Sequence, residues 1–571
     1  MNSPHTTDAP TLSDEQVEEA IASLWQLKKL FDRHSASHVK PLNFDDLLRK
    51  PSYREKVLER LSTTKHPEIA AIANRIRQMQ LTGSVHVDDQ QKRTETQGTS
   101  SANLLLAYEQ QIDALKEQLS GELENRSLLE RKRRRLLYAN VFSVSLLFCS
   151  IILNLLPVAN ELLTEKTVTL AGSIIEDTTL RADRNYLLQG VVFVEGNTEL
   201  TIEPGTRILG DNGSALVVTR NATLVARGTA AEPIIFTSSK PEGGRARGDW
   251  GGLVLLGNAL VNQPGHIEGI ATGDVRGEFG GNDPTDNCGV LEYVRIEFAG
   301  YEVFVDNELN GLTLGGCGSN TIIRNVQVHR SLDDGIEVFG GTVSLKNIVI
   351  SGPGDDGFDW DMGWQGNVQF LVIQMHGEEG DNAFEGDNSA SAPQSTPVSR
   401  PRFYNVTMAG ANNQQTAHRG MTIRHGSGGI FANILMVGFP KDAIDLRGED
   451  VTGLINNKSL QFSNILMFDI NKGKYFEEEQ GEGDDDLGFD EMSYFSSADL
   501  NVIFGLDPRL PSGIYNNLTP DFTPQGHSPA RTSNAVIPQG EFWDAGARYI
   551  GAIRPGAATN WLEGWTAFPA L

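Results

Sequence analysis

Between residues 185 and 470 the apolar side chains recur in short runs rather than long ones. Gly190-Val191-Val192-Phe193-Val194, Leu200-Thr201-Ile202, Ala215-Leu216-Val217-Val218, Thr223-Leu224-Val225 and Pro233-Ile234-Ile235-Phe236 have strand length and lie between Gly, Asn and Asp. Such β-branched runs bounded by turn residues predict short strands. Further on one phrase repeats: Asn325-Val326-Gln327-Val328, Asn347-Ile348-Val349-Ile350, Asn405-Val406-Thr407-Met408, Asn433-Ile434-Leu435-Met436 and Asn464-Ile465-Leu466-Met467. The copies start 22, 58, 28 and 31 residues apart, and the longest gap holds one more at Phe370-Leu371-Val372-Ile373, with Phe in place of Asn. A period of this size is the sign of a solenoid in which each repeat is one coil. Asn suits a recurring corner because it tolerates left-handed backbone angles and its amide can bond to the Asn of the next coil. The pattern predicts a mainly β fold, a single-stranded right-handed parallel β-helix of roughly a dozen coils over residues 165–525. Residues 526–571 are expected to form a C-terminal cap.

Ahead of residue 165 the period becomes helical. Ser13 with Gln16 makes a capping box, Val17, Ile21, Leu24 and Phe31 share a face, a second helix is predicted at 52–61, and a third from Pro67 with Ile69, Ile72, Ile76 and Met79 aligned. Residues 1–11 read as disordered, 12–81 as a small bundle, and 82–102 as a polar linker. Leu105, Tyr108, Ile112, Leu115 and Leu119 form a short heptad seam, so 103–135 reads as an amphipathic helix or a short coiled coil that would pair two copies. Residues 136–158 carry no charge over 23 positions and follow Arg131-Lys132-Arg133-Arg134-Arg135. That length spans a bilayer of roughly 30 Å as a transmembrane helix, and the basic flank marks the cytoplasmic side. The expected topology is an uncleaved signal anchor in a bacterial inner membrane. The N-terminal helices then lie in the cytoplasm with a cytosolic partner, and the β-helix is periplasmic or extracellular.

Composition narrows the partners. A net charge of −26 argues against nucleic acid, which is bound through cations on phosphates, and favours divalent cations or neutral and cationic partners. Three cysteines are too few for a disulfide scaffold. Cys288 and Cys317 are 29 residues apart and fall on adjacent coils, where a disulfide and an internal Cys stack both fit.

The candidate chemistry lies in a second repeated phrase, Asp333-Asp334-Gly335-Ile336-Glu337 and, 22 residues later, Asp355-Asp356-Gly357-Phe358-Asp359. Asn310-Gly311-Leu312-Thr313 precedes it, and Asn382-Ala383-Phe384-Glu385, Arg419-Gly420-Met421-Thr422 and Asp442-Ala443-Ile444-Asp445 follow. The third residue of each is apolar and should point inward, so the fourth points out. The outward column is then Thr313, Glu337, Asp359, Glu385, Thr422, Asp445, flanked by Asn310, Asp334, Asp356, Asn382, Arg419, Asp442. Carboxylates stacked this closely need compensation. Ca²⁺ suits an oxygen-rich set such as Asp334, Asp356, Asp359 and Glu385. Raised carboxyl pKa values would suit general acid chemistry, and Asp before Gly is also ordinary turn chemistry. Arg424-His425 follows the Arg419 phrase, which makes Asp355, Asp356, Arg424 and His425 the catalytic candidates. Asp334, Glu337, Asp359 and Glu385 are the candidate ligand-binding groups. Among Trp250, Trp360 and Trp364, one is expected to be exposed for stacking on sugar, with Trp360 and Trp364 assigned to ligand binding. The acidic runs at 477–479 and 484–486 lack Ca²⁺-loop spacing and read as a solvated loop.

Arg247-Gly248-Asp249-Trp250-Gly251-Gly252-Leu253-Val254, Gly311-Leu312-Thr313-Leu314-Gly315-Gly316, the Asp-Asp-Gly phrases, Tyr549-Ile550-Gly551-Ala552 and Asn560-Trp561-Leu562-Glu563-Gly564-Trp565 resemble a broad family of bacterial cell-envelope β-helix proteins of the pectin-lyase-like superfold. The resemblance covers about residues 165–571 and implies the fold and an envelope location rather than a reaction. Usual members lack the N-terminal part and anchor seen here. A more distant likeness is to polygalacturonase-like hydrolases, with Asp355-Asp356 and His425-Gly426 in the roles of their Asp pair and His-Gly phrase, although their Asn-Thr-Asp and Arg-Ile-Lys phrases are missing. Lyase relatives imply Ca²⁺ and an Arg base, for which Arg419 or Arg424 would serve. The leading expectation is a membrane-anchored, non-enzymatic protein binding glycan or another envelope partner, with Ca²⁺ as its cation. A polysaccharide lyase or glycoside hydrolase and a structural scaffold are the alternatives.

Overall fold

The computed structural model describes residues 50–64, 67–79 and 166–571, apart from 305–306, 413–416, 478–484 and 533, together with positions 23–24, 26–27 and 46–47. Residues 1–11, the linker 82–102, the heptad seam within 103–135 and the apolar span 136–158 lie outside the described residues. Among the described residues no helix is long and apolar enough to cross a membrane. The chain divides into two compact units, Met1–Leu163 and Thr164–Leu571.

In the first unit the helices Pro51–Ser62 and Pro67–Gln78 each begin with Pro, whose missing N–H costs nothing at a helix start. Val57, Leu58 and Leu61 pack on Ile69, Ala73 and Ile76, and Leu24, Leu27 and Leu47 complete the small core. Arg54 is buried there, and its Nη1 donates to the Leu47 carbonyl at 2.9 Å.

The second unit is a parallel β-helix. In one ladder twelve strands, from Thr167–Ile174 through Leu460–Phe468 to Ile503–Phe504, pair in parallel one after the next, which matches the expected dozen coils. The long strands carry the Asn phrase, and each is bent by a single residue. Asn325, Asn347, Phe370, Asn405, Asn433 and Asn464 have φ between 54° and 64°. Each drops out of the pairing while its neighbours stay in register, as in Arg324↔Lys346 and Val326↔Ile348. One left-handed residue thus turns the strand from one face of the solenoid to the next, and the phrase with Phe in place of Asn takes the same corner.

The amides of the corner residues differ from expectation. Asn405 Nδ2 donates to the carbonyls of Ala547 and Tyr549 at 3.0 and 2.8 Å, and Asn433 Nδ2 donates to that of Val536 at 3.2 Å. The reason is the course of residues 526–571. Expected as a cap, they run back along the flank: Ile550 and Ala552 cover Leu435, Trp565 sits edge-on to Tyr293 at 5.9 Å, and Pro569 accepts from His329 Nε2 at 2.9 Å. Asn464 keeps a bond of the expected kind, its Oδ1 accepting from Asn501 Nδ2 at 2.5 Å.

Inside, stacked side chains repeat at the strand spacing. Phe358, Trp360, Trp364, Phe384, Phe403, Phe431 and Phe462 form a continuous aromatic column, with Phe403 and Phe431 stacked at 5.6 Å. Trp250, Trp360 and Trp364 are all fully buried, so the expected sugar-stacking role of Trp360 and Trp364 is withdrawn. Strand parity is the cause: Asp359 points out, so Phe358 and Trp360 on either side must point in. Their indole N–H groups are used internally, Trp360 Nε1 donating to Ser427 Oγ at 2.9 Å and Trp364 Nε1 to the Val343 carbonyl at 3.0 Å. Cys288 and Cys317 form a disulfide.

Candidate functional site

The short strands Leu312–Gly315, Ile336–Phe339, Phe358–Asp361, Asn382–Gly386, Arg419–Ile423 and Ile444–Leu446 stack in register. Thr313 pairs with Glu337, Glu337 with Asp359, Asp359 with Glu385, Glu385 with Thr422, and Thr422 with Asp445. This is the outward column read from the repeat. Glu337, Asp359 and Glu385 are half-buried, whereas Thr313, Thr422 and Asp445 are buried.

The flanking column has a different job. Asp334 Oδ1 accepts the backbone N–H of Asp356 at 2.9 Å, Asp356 Oδ1 accepts the backbone N–H and side-chain amide of Asn382 at 2.6 and 3.0 Å, and Asp442 Oδ1 accepts the N–H of Glu477 at 2.6 Å. These carboxylates staple one turn to the next. Asp356 thus spends Oδ1 on the next coil. Asp355 stays exposed at the surface, with its carboxyl pushed up by partial desolvation and then by the charge of Asp381.

A third column was not read from the sequence. Outward positions alternate along a strand, so the residue two beyond each rung also faces out: Asp361 after Asp359, Asp387 after Glu385, Arg424 after Thr422 and Arg447 after Asp445. Backbone bonds from Asp387 to Trp360, Arg424 to Gly386 and Arg447 to Ile423 hold them in line. Arg424 Nη2 is 2.5 Å from Glu385 Oε2 and its Nε is 2.9 Å from Asp387 Oδ1, while His425 Nδ1 is 3.0 Å from Asp387 Oδ2. Arg424 and His425 therefore converge on Asp387, not on Asp355 and Asp356. The signal that could have found Asp387 was the same parity that set the outward column.

Burial and crowding shape the electrostatics. Asp334, Glu337, Asp356 and Asp359 are pushed well above the ordinary carboxylate range, first by burial and then by neighbouring carboxylates, Asp333 beside Asp334 and Glu337, Glu385 beside Asp356, and Glu337 beside Asp359. Glu385 is raised to about 7 by burial, against the opposing pull of Arg424, and Asp361 to about 6, again mainly by burial. Asp334, Glu337 and Asp359 each offer an oxygen within 4.8 Å of the others, a hard-oxygen set of the kind Ca²⁺ takes. Asn310 belongs to the same corner: its Nδ2 donates to Glu337 Oε2 at 2.5 Å, and its buried Oδ1 has no donor. Asp356 and Glu385, expected to join the metal set, lie outside this trio; Asp356 Oδ1 accepts from Asn382, and Glu385 Oε2 pairs with Arg424.

At the far end of the columns a cleft of about 640 Å³ is lined by Pro393, Gln394, Arg424, His425, Arg447, Gly448, Glu449, Asp450 and Asp485. The second acidic run contributes to it through Asp485, whose Oδ2 is 3.7 Å from Arg447 Nε. A row of carboxylates, the corner formed by Asp334, Glu337 and Asp359, and a cleft with an Arg-His pair thus lie on one face of a parallel β-helix.

Residues 172–498 match the family model described as a pectate-lyase-like β-helix domain, and the chain belongs to that family. No curated protein and no solved structure matches it.

Proposed function

We propose that the β-helix binds a polysaccharide along its acidic face, with Ca²⁺ held by Asp334, Glu337 and Asp359 and with Arg424 and His425 contacting the polymer at the cleft. The observation that carries this reading is the registered column Glu337, Asp359, Glu385, which offers one carboxylate per coil at about 4.8 Å. A straight row of acceptors suits an extended, hydroxyl-rich chain better than a compact ligand. With every tryptophan of the acidic-face strands buried, recognition rests on polar groups. A bound divalent cation would also let this face accept acidic sugars that its own charge repels. The family membership supports a polysaccharide ligand by analogy of fold alone. Calorimetry with a panel of neutral and acidic polysaccharides, with and without Ca²⁺, is expected to find saturable binding. Asp359→Asn and Arg424→Gln should each weaken it by about tenfold. Absence of binding across the panel would overturn the proposal.

A second reading, cleavage of the bound polymer, is favoured by Glu385. Its carboxyl is held to about 7 beside Asp387, which Arg424 and His425 grip, and a carboxylic acid protonated near neutral pH is what a general acid requires. Release of reducing or unsaturated ends, abolished by Glu385→Gln, would decide for an enzyme.

The chain is further proposed to be anchored by 136–158 with its N-terminal helices cytoplasmic, where they meet an intracellular partner, and to pair through 103–135. The Cys288–Cys317 disulfide supports an oxidising compartment for the β-helix. A periplasm-active reporter fused after residue 165 should be active, and silence would reverse the topology.

A further inference from the structure

Away from the acidic columns, the β-helix buries the side chains of Arg247 and Arg330, in a chain of net charge −26. Arg330, just after the strand Ile322–His329, is 4% exposed, and the Arg247 side chain is 6% exposed. Both face Glu378, with Arg247 Nη2 3.4 Å and Arg330 Nη2 3.8 Å from its carboxylate oxygens. The fully buried His376 places Nδ1 3.8 Å from the same carboxylate. These separations are long beside the roughly 2.7–2.9 Å of a charge-assisted hydrogen bond. Arg330 Nε and Nη1 and His376 Nδ1 are all buried without a hydrogen-bond partner, a costly state for a guanidinium. Glu378 is nearly half exposed, so its carboxylate can swing out.

The imidazole identifies what should replace it. His376 Nε2 is 3.3 Å from Gln374 Oε1, and the Gln374 amide nitrogen is committed to the Ile514 carbonyl at 2.8 Å. Nε2 therefore carries the ring proton and Nδ1 is an acceptor. Burial, reinforced by Arg330, His329 and Arg247, holds the ring neutral, with its pKa lowered to about 2. The cluster thus presents several N–H donors and one acceptor. A carboxylate or a sulfate can only accept, whereas hydrogen phosphate accepts through its ionised oxygens and donates through its hydroxyl.

We propose that Arg247, Arg330 and His376 form a phosphate-binding site in which Glu378 is a displaceable counter-ion. The ligand is free hydrogen phosphate, which keeps one hydroxyl at neutral pH, whereas a monoester, with its second pKa at about 6, is mainly a dianion that can only accept. The test is calorimetry on the full chain at constant ionic strength with inorganic phosphate, glucose 6-phosphate, sulfate and acetate. Phosphate should bind saturably and about tenfold more tightly than sulfate, with no binding of acetate. Glu378→Gln should tighten phosphate by about fivefold or more because the internal competitor is gone, and Arg330→Lys should weaken it by about tenfold. Glucose 6-phosphate, mainly a hydroxyl-free dianion at neutral pH, should bind more weakly than inorganic phosphate, and equal or tighter binding overturns the proposal. If Arg330→Lys does not fold, Glu378→Gln decides: unchanged affinity in that variant overturns the site. Sulfate binding as tightly as phosphate, or absence of phosphate binding, overturns it equally.

Discussion

The carboxylate of Asp356 accepts the backbone N–H of Asn382 at 2.6 Å, one coil further along the solenoid. Asp356 therefore acts as a staple between turns, and its charge is incidental to that bond. Replacing it by Ala leaves a buried N–H unpaired and is expected to cost about 2 kcal/mol. Asp356→Asn keeps an acceptor oxygen and removes a crowded charge, so its cost should be less than half as large. Urea denaturation of the two variants checks this, and equal losses would show that the charge itself matters.

The pH dependence follows from the raised carboxyls. Asp334, Asp356, Asp359 and Glu385 hold protons more tightly when folded than when unfolded. Native protein then binds more protons, so stability is greatest below the ordinary carboxylate range near pH 4 and falls as pH rises. For Glu385 the loss is complete once pH passes about 7. Urea midpoints should be higher at pH 5 than at pH 8, and Glu385→Gln should flatten the difference. A midpoint that climbs with pH would refute this account.

Calcium should relieve the same crowding. If it occupies the corner formed by Asp334, Glu337 and Asp359, the β-helix gains about 2.7 kcal/mol at a hundredfold excess over Kd, visible as a rise in Tm. Mg²⁺, which prefers rigid octahedral water-rich sites, should do less. A Tm indifferent to calcium and chelator would exclude a metal corner, and loss of the effect in Asp359→Asn would assign it.

The Cys288–Cys317 disulfide closes a loop of 29 residues, a constraint worth about 2–4 kcal/mol. Cys288→Ala with Cys317→Ala should lower Tm, and a reducing agent should lower the Tm of the native chain but leave that of the double variant unchanged. Equal sensitivity of both to reductant would contradict the pairing.

The C-terminal segment behaves as part of the core. Gln327, Gln369, Asn405 and Thr407 all bond to it, and Ile550, Ile553 and Trp565 are buried against the flank. Deleting residues 526–571 uncovers an apolar strip and strands those polar groups, so the truncated chain should bind a hydrophobic dye and elute as a larger assembly than the intact chain does in gel filtration. A dye-silent truncation that associates no more than the intact chain would mean that the segment is dispensable.

Register was already written in the chain. The Asn phrase located each corner and the carboxylate phrase each outward rung, because a solenoid repeats one local conformation and every copy must solve the same steric problem. Even Phe370 was placed by the spacing of its neighbours. Strand parity also held Asp361 and Asp387 in the third column and Trp360 in the core, although following one rung per coil missed the first and misplaced the second. What depended on three dimensions was the use of each group. Which carboxylates staple turns and which face solvent depends on backbone N–H groups supplied by the next coil. The corner amides belong to the C-terminal segment because that segment, far off in sequence, lies along the flank and brings its carbonyls to them. Local repetition is readable from one strand of text, but a partner contributed by a distant stretch of chain exists only once the solenoid has closed on itself.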